Sequence, residues 1–169
     1  MNFTAAVFGL ALMVSAGAAR ADEPVSIGTF DDWEAFTYHA DGGLVCYAFS
    51  APKATEADKK IGKRDPVYFL VTNFQARKVK GQVSTIIGYP FKESSLVALI
   101  VDEKPFELYT NGDTAWASAA DDEAAIVKTM KTAKELAIIG TSWKGTETTD
   151  SYSLKGFVQA IEKIDSTCK

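Results

Sequence analysis

The chain has 169 residues, 47% of them hydrophobic and 24% charged, and a formal net charge of −4. A chain of that length builds one domain with a core of ordinary size. The acidic balance argues against a nucleic-acid partner, because domains that neutralise phosphates carry a net basic charge.

From the N-terminus, Ala5 to Ala19 is an apolar run too short to span a bilayer, and Ala19-Arg20-Ala21 supplies the small residues that a signal peptidase needs. Residues 1–21 therefore read as a secretory signal peptide cleaved before Asp22, with residues 22–169 forming a single domain. The only positive charge ahead of the apolar run is the α-amino group, so an uncleaved membrane anchor is the alternative. No later stretch is long and apolar enough to span a membrane, so the mature chain is expected to be soluble, without an integral membrane segment, in an oxidising space. Losing Arg20 with the leader takes the formal charge to about −5. The charge is uneven: residues 53–80 hold eight basic side chains against Glu56, Asp58 and Asp65, while residues 102–123 are almost wholly acidic. Blocks of this kind are first of all solvated loops and faces.

The residues before Trp33 read as a short polar leader. Trp33 to Tyr38 alternates like a strand, Asp41-Gly42-Gly43 turns the chain, and Leu44 to Phe49 follows with apolar residues on both faces, as in a central strand covered on both sides. Cys46 points one way and Tyr47 the other. Residues 51–65 are polar and charged and read as a loop, after which Val67 to Thr72 is again apolar on both faces. Between Lys78 and Ile87, Val79, Val83, Thr85 and Ile87 share one side, and Lys78, Lys80, Gln82 and Ser84 the other. That is a half-exposed strand with a basic face. Gly88-Tyr-Pro90 breaks it, Leu96 to Val101 is a buried strand, and Asp102 to Pro105 turns into Phe106 to Thr110. Asn111-Gly112 suits a type I′ hairpin turn returning along Thr114 to Ala117.

The period then changes to that of a helix, with Ile126, Val127, Met130 and Ala133 on one face. Asp121, Asp122 and Glu123 fall in its first turn, and Lys128, Lys131 and Lys134 come later. The three carboxylates read as caps and dipole partners rather than as a calcium site. Leu136 to Trp143 is a strand, Lys144-Gly145 its turn, and the hydroxyl-rich residues 146–151 are extended. Ser153 is a plausible N-cap for a last helix striped by Leu154, Phe157, Val158, Ile161 and Ile164. Cys168 lies fourteen residues beyond Leu154, which returns it to the apolar face. An even pair of cysteines, Cys46 and Cys168, in a secreted chain reads as one disulfide, with two free thiols or an intermolecular bridge as alternatives. Without a Cys-x-x-Cys pair there is no resolving thiol for redox work.

No catalytic or metal-binding constellation rises from the sequence, and nothing in it calls for a cofactor. His39 is the single histidine, and beside a Gly-Gly turn it reads as a surface or strand-end residue; no nucleophile elbow accompanies it. Gly140 to Thr146 has the spacing of a phosphate loop but lacks the lysine ahead of the hydroxyl. Asp31-Asp32 and Asp121-Asp122 are sequence neighbours with turn and cap readings. Of the aromatics, most are expected to pack, because strands select them. Trp33, Trp116 and Trp143, with Tyr89 and Tyr152, could line a groove for a glycan, peptide or partner, and an exposed aromatic surface near the turn after residue 140, with Trp143, is the binding candidate.

Gly88-Tyr-Pro-Phe91, Phe106-Glu-Leu-Tyr109, Ala115-Trp-Ala117, Met130-Lys131, Gly140-Thr-Ser142, Gly145-Thr146, Thr149-Asp150 and Tyr152 to Phe157, with the terminal Cys168, together resemble the invasion-associated locus B family of small bacterial envelope proteins. Trp143 stands outside the shared residues and reads as a local feature. The resemblance implies export to the periplasm or outer envelope, and its founding member is associated with invasion of host cells by a pathogen. It implies no enzymatic activity, no cofactor and no catalytic residue.

The expected fold is mainly β (α+β): an antiparallel β-sandwich or open barrel of about seven or eight strands, with one inserted helix and one C-terminal helix. The expected function is that of a non-enzymatic envelope protein, periplasmic, outer-envelope or secreted, that binds an envelope or host component. Arg77, Lys78 and Lys80 on the basic strand face, helped by Lys59, Lys60, Lys63 and Arg64 in the loop, would attract an anionic partner. A small periplasmic hydrolase of cell-wall or glycan substrates is the alternative and requires a deep pocket with two convergent acids. A structural or chaperone-like stress protein is a third reading and requires an exposed apolar patch.

Overall fold

A computed structural model describes residues 22–40 and 42–169; the signal-peptide reading of residues 1–21, and Asp41 of the first turn, lie outside the described residues. Period-2 burial decides the architecture. In β2 (Trp33–Ala40), β3 (Gly43–Ser50), β5 (Tyr68–Phe74), β6 (Val79–Ile86), β7 (Leu96–Val101), β10 (Glu135–Thr141) and β11 (Glu147–Ser153), buried residues recur at alternate positions, so one face of each strand lines a common interior. With β1 (Val25–Phe30), β4 (Ala54–Ala57), β8 (Lys104–Asn111) and β9 (Thr114–Trp116), they form one antiparallel sheet of eleven strands in the order β1-β2-β3-β5-β6-β9-β8-β7-β10-β11-β4. The sheet is open but strongly curled. Phe69 on β5 meets Tyr152 on β11 with ring centroids 6.1 Å apart, although five strands separate them in the sheet. The Trp33 indole on β2 donates to the Ser153 carbonyl at 3.0 Å.

Two helices complete the interior, α1 (Ala120–Met130) over β6 and β7, and α2 (Phe157–Thr167) over β1, β2, β3 and β5. Phe157, Ala160, Ile161 and Ile164 form the buried face of α2, and Phe157 packs edge-on against Trp33 at 4.8 Å. Cys168 follows on that face and is bonded to Cys46 of β3, a link spanning 122 residues of sequence.

The class agrees with the sequence reading; several details do not. The strands number eleven because β1 and β4, read as a polar leader and a loop, are edge strands. β4 is exposed at all four positions and buries no face, so no periodicity marks it, and it exists through its pairing with β11. In β1 a register shift between Ser26 and Gly28 breaks the alternation. Strands β3 and β5 are not covered on both sides by separate layers. Their outer face carries an aromatic ladder, with Phe36 stacked on Tyr47 at 5.8 Å and Phe49 edge-on to Tyr68 at 5.2 Å, so the rings half-bury one another. The hairpin at Asn111 is present, but Asn111 pairs with Thr114, leaving Gly112-Asp113 as the loop, with the positive φ at Gly112.

Helix starts also differ. The carboxylates Asp121, Asp122 and Glu123 do occupy the first turn of α1, yet its N-cap is Ala119, with no side-chain cap. Ser153 does not cap α2; its hydroxyl accepts the Lys155 N–H at 3.1 Å in the turn ahead of the helix. The N-cap is Gly156, at φ 89°, where a Cβ would collide with the Phe30 carbonyl oxygen.

Closing so long a loop restricts the unfolded chain, an effect of about 4–5 kcal/mol in the chain-entropy model. Cys46→Ala with Cys168→Ala is therefore expected to lower the unfolding free energy by about that amount, read as a fall in denaturant midpoint.

Candidate functional site

Alternation along β11 turns Thr148, Asp150 and Tyr152 inward. A carboxylate placed there, with no solvent exposure, requires matched donors. Arg64 supplies a two-pronged contact, with Nη1 to Oδ1 at 2.9 Å and Nη2 to Oδ2 at 2.5 Å, and Thr55 of β4 donates to Oδ1 at 2.6 Å. The remaining edge of the guanidinium, Nε, donates to the Ile87 carbonyl at 2.6 Å. Arg64 also lies 5.0 Å from the centroid of the Tyr89 ring, whose hydroxyl donates to the Gly140 carbonyl at 3.0 Å and shares a 2.6 Å hydrogen bond with Thr148. Burial raises the Tyr89 ionisation above the ordinary tyrosine value, with the Thr148 hydrogen bond and the Arg64 charge opposing it.

The loop reaches this position because Gly88, at φ 74°, lets β6 end directly against the Asp65 backbone. A Cβ there would collide with the Asp65 carbonyl oxygen, and the Asp65 N–H donates to the Gly88 carbonyl at 3.0 Å.

Above the buried pair lies a cleft of about 210 Å³ between the 60–64 loop and the 142–146 turn. Lys60, Lys63 and Lys144 line it, and none of the three forms an ion pair with a carboxylate of the described residues. Lys59 fastens loop to turn by donating to the Gly145 carbonyl at 2.9 Å, and its distance to Asp58 is 3.8 Å. Ser142, Thr146 and Thr148 give the walls their hydroxyls. Trp143 is 61% exposed at the rim, with the Lys144 ammonium 4.9 Å from its ring. The turn is rigid: the Ser142 N–H donates to the Thr146 carbonyl at 2.8 Å, the Thr146 N–H to the Ser142 hydroxyl at 3.1 Å, and the Trp143 N–H to the Pro90 carbonyl at 2.9 Å.

Five residues singled out from the sequence, Lys59, Lys60, Lys63, Arg64 and Trp143, thus meet at one place. Arg77, Lys78 and Lys80 do not join them. Arg77 lies over Phe74 at 3.6 Å, and Lys78 sits in the β5–β6 turn at φ 54° rather than on a strand. The register shift between Thr72 and Phe74 breaks the alternation that predicted a shared basic face. Lys80 lines a separate cleft of about 290 Å³ with Lys128 and Lys131, above Val71, Val127 and Ile161. Arg64 is committed inward to Asp150, a buried mid-strand residue of β11. Lys144, Ser142, Thr146 and Thr148 were not recognised as site residues; of the aromatics read as able to line a groove, Tyr89 and Trp143 do line the cleft, whereas Trp33 and Tyr152 are buried. The available signal was Asp150 itself, a carboxylate in phase with Tyr152 on an alternating strand.

Elsewhere, His39 is exposed at a strand end, its Nδ1 3.4 Å from the Asp22 carboxylate. Asp31 and Asp32 flank a third cleft. A hydrogen bond from Lys53, with another from Ser153, holds the Asp32 carboxyl below its ordinary value, and Asp31 pairs with Lys155 at 2.9 Å. A general acid for glycoside hydrolysis needs the opposite shift. Burial raises the Glu123 carboxyl, but that group belongs to α1 and lies outside this cleft. Among the described residues, no group of three or more His, Cys, Asp or Glu is placed to hold a metal ion.

An open antiparallel sheet closed by one long-range disulfide, with no described helix long and apolar enough to cross a membrane, defines a small stapled β-protein. The same fold is seen in the crystal structure of invasion associated protein b from Bartonella henselae, at a TM-score of 0.60 and 17% identity, covering 85% of this chain and 96% of that one. The family model described as Invasion associated locus B (IalB) protein matches residues 33–165, and the chain belongs to that family. No curated protein matches it. Several residues that carry the resemblance, Tyr89, Ser142, Gly145, Thr146 and Asp150, stand in or directly beneath the basic cleft or in its turn.

Removing one partner of a buried ion pair strands the other, so Asp150→Ala is expected to cost about 3–5 kcal/mol, and Arg64→Ala in the Asp150→Ala background far less than alone, measured by a double-mutant unfolding cycle. Tyr152 gives a pH prediction. Its hydroxyl is buried without a hydrogen-bond partner, Thr85 donating instead to the Tyr68 carbonyl. Burial first, and the Asp150 charge second, raise its ionisation well above the ordinary value. A raised folded-state value means that the stabilising contribution is intact below the unfolded value, about pH 10, and is lost as the pH rises beyond it. Tyr152→Phe should be near neutral in stability at pH 7 and should shallow the alkaline decline above about pH 10, in unfolding titrations against pH.

Proposed function

We propose that this protein is an exported, non-enzymatic envelope component that binds an anionic partner through the cleft of Lys60, Lys63 and Lys144. The supporting observation is the convergence of three ammonium groups, free of ion pairs with the described carboxylates, on a cleft whose floor is an already neutralised Arg64–Asp150 pair. A cleft with low-dielectric walls focuses such a field onto whatever occupies it. The disulfide suits an oxidising compartment outside the cytoplasm. The relative from Bartonella henselae is by its title an invasion associated protein, and this reading places the present chain in a comparable role, in contact with an envelope or host component.

In-cell crosslinking of the tagged protein, read by mass spectrometry, tests the proposal. The triple change Lys60→Glu, Lys63→Glu, Lys144→Glu is expected to abolish capture of its main partner, while Lys78→Glu with Lys80→Glu leaves it intact. Capture by the wild type should weaken as added salt shortens the screening length below about 10 Å. Retention by the triple variant, with the salt dependence unchanged, would remove the cleft from the reading. A structural or chaperone-like role is the second reading, favoured by the outer aromatic ladder and by the exposed Leu96 and Tyr109.

A further inference from the structure

Resting on that reading, we propose that the ligand of the basic cleft is an acidic sugar residue within a glycan chain, its ring against Trp143 and its acid group held by Lys60, Lys63 and Lys144. Volume sets the size of the group. The cleft, at about 210 Å³, lies below the ~300–1,000 Å³ of pockets that enclose a drug-sized ligand, so it seats one ring-sized unit of a longer molecule.

Chemistry sets the class. A large indole left 61% exposed on a turn fixed by its own hydrogen bonds is a preformed flat surface, and the electron-rich ring face attracts polarised C–H groups such as those on one face of a pyranose. The Ser142 hydroxyl accepts the Thr146 N–H and retains its own proton for an outside acceptor. The charges are lysine ammoniums, compact and mobile, whereas the one guanidinium has its fork turned inward onto Asp150. That arrangement suits a carboxylate or sulfate on a ring whose position is fixed mainly by stacking.

An acidic peptide fits less well. An extended peptide docks by pairing with free backbone groups, and here the N–H groups of Ser142, Trp143, Gly145 and Thr146 already have partners within the protein; acidic motifs are taken by arginine forks, and the one guanidinium at the cleft is spent on Asp150.

The test measures equilibrium binding of the purified protein to a heparin-derived tetrasaccharide, with maltotetraose, polyglutamate and phosphatidylglycerol vesicles as comparison probes. Trp33 is fully buried but Trp116 is half-buried and stacked on Tyr109, so acrylamide quenching is read in a Trp116→Phe background, where protection of exposed indole reports on Trp143. The expected result is binding of the acidic tetrasaccharide with protection of Trp143. Trp143→Ala should weaken it about tenfold, Trp143→Tyr should restore most of the loss, and Lys60→Gln, Lys63→Gln, Lys144→Gln together should weaken it more than tenfold and flatten its salt dependence. Polyglutamate or the vesicles bound as tightly, with no effect of Trp143→Ala, would overturn the saccharide while leaving the anionic cleft standing. Maltotetraose bound as tightly, with the lysine variant unaffected, would overturn the acidic requirement. Failure of every anionic probe to respond to the lysine variant would overturn this inference together with the reading beneath it.

Discussion

Asp150 has no exposure on the inner face of β11, and a charge so placed persists only where both of its oxygens are satisfied. Meeting that requirement organises one whole end of the molecule. Arg64 must cross 86 residues of sequence to reach it, which draws the 58–65 segment over the sheet edge, although that segment is exposed at most of its positions. Thr55 donates to the same carboxylate, tying the exposed strand β4 to its neighbour beyond the ladder hydrogen bonds. Nε of Arg64 holds the Ile87 carbonyl where β6 ends. One buried carboxylate thus fixes an edge strand, a charged loop and the end of a distant strand relative to one another. Lys60 and Lys63 stand within four residues of that anchor, and their backbone positions follow from it.

What could be read in the sequence follows from which interactions are local. Alternation marked β2 and β6, apolar runs marked β3, β5, β7 and β10, the 3.6-residue period marked both helices, and an even cysteine count with a helical face brought Cys168 to the interior. β4 left no mark, because an exposed edge strand is defined by its partner rather than by a buried face. Neither did the failure of the Lys78–Lys80 alternation, since a register shift depends on the facing strand. For the site, basic composition pointed to Lys59, Lys60, Lys63 and Arg64, and the turn pointed to Trp143. Their meeting was not legible. It depends on β4 lying against β11, the pairing that local pattern could not show.

The hydroxyls beneath the cleft belong to the same constraint. Tyr89 covers Arg64 and spends its own hydroxyl on Gly140 and Thr148, so β10 and β11 are bound to the segment that follows β6. The family resemblance draws on Gly88-Tyr-Pro-Phe91 and Gly140-Thr-Ser142, which are remote in sequence. In the fold they adjoin, through an isolated bridge between Phe91 and Ser142 and the Trp143 N–H to Pro90 hydrogen bond. The physical role of these short motifs is to build a rigid floor. A polar network of this kind is favourable only when nearly every member is satisfied, and here each named group is.

Net charge and local charge have opposite signs in this protein, and the difference has a consequence for selectivity. At a formal charge of −4 the chain as a whole repels polyanions at low ionic strength, when the screening length is long. At about 0.15 M salt that length is roughly 8 Å, comparable to the cleft itself, and only nearby charges act. A ligand of this cleft must then place its acid group among Lys60, Lys63 and Lys144 to gain attraction, on a chain whose charge is acidic on balance. Because Arg64 is spent on Asp150, the attraction rests on lysines alone and is weak without a second contact. The exposed face of Trp143 can supply that contact, so the proposed reading implies a preference for molecules that combine a flat apolar face with an acid group, a consequence of the site's incompleteness as a pure charge trap.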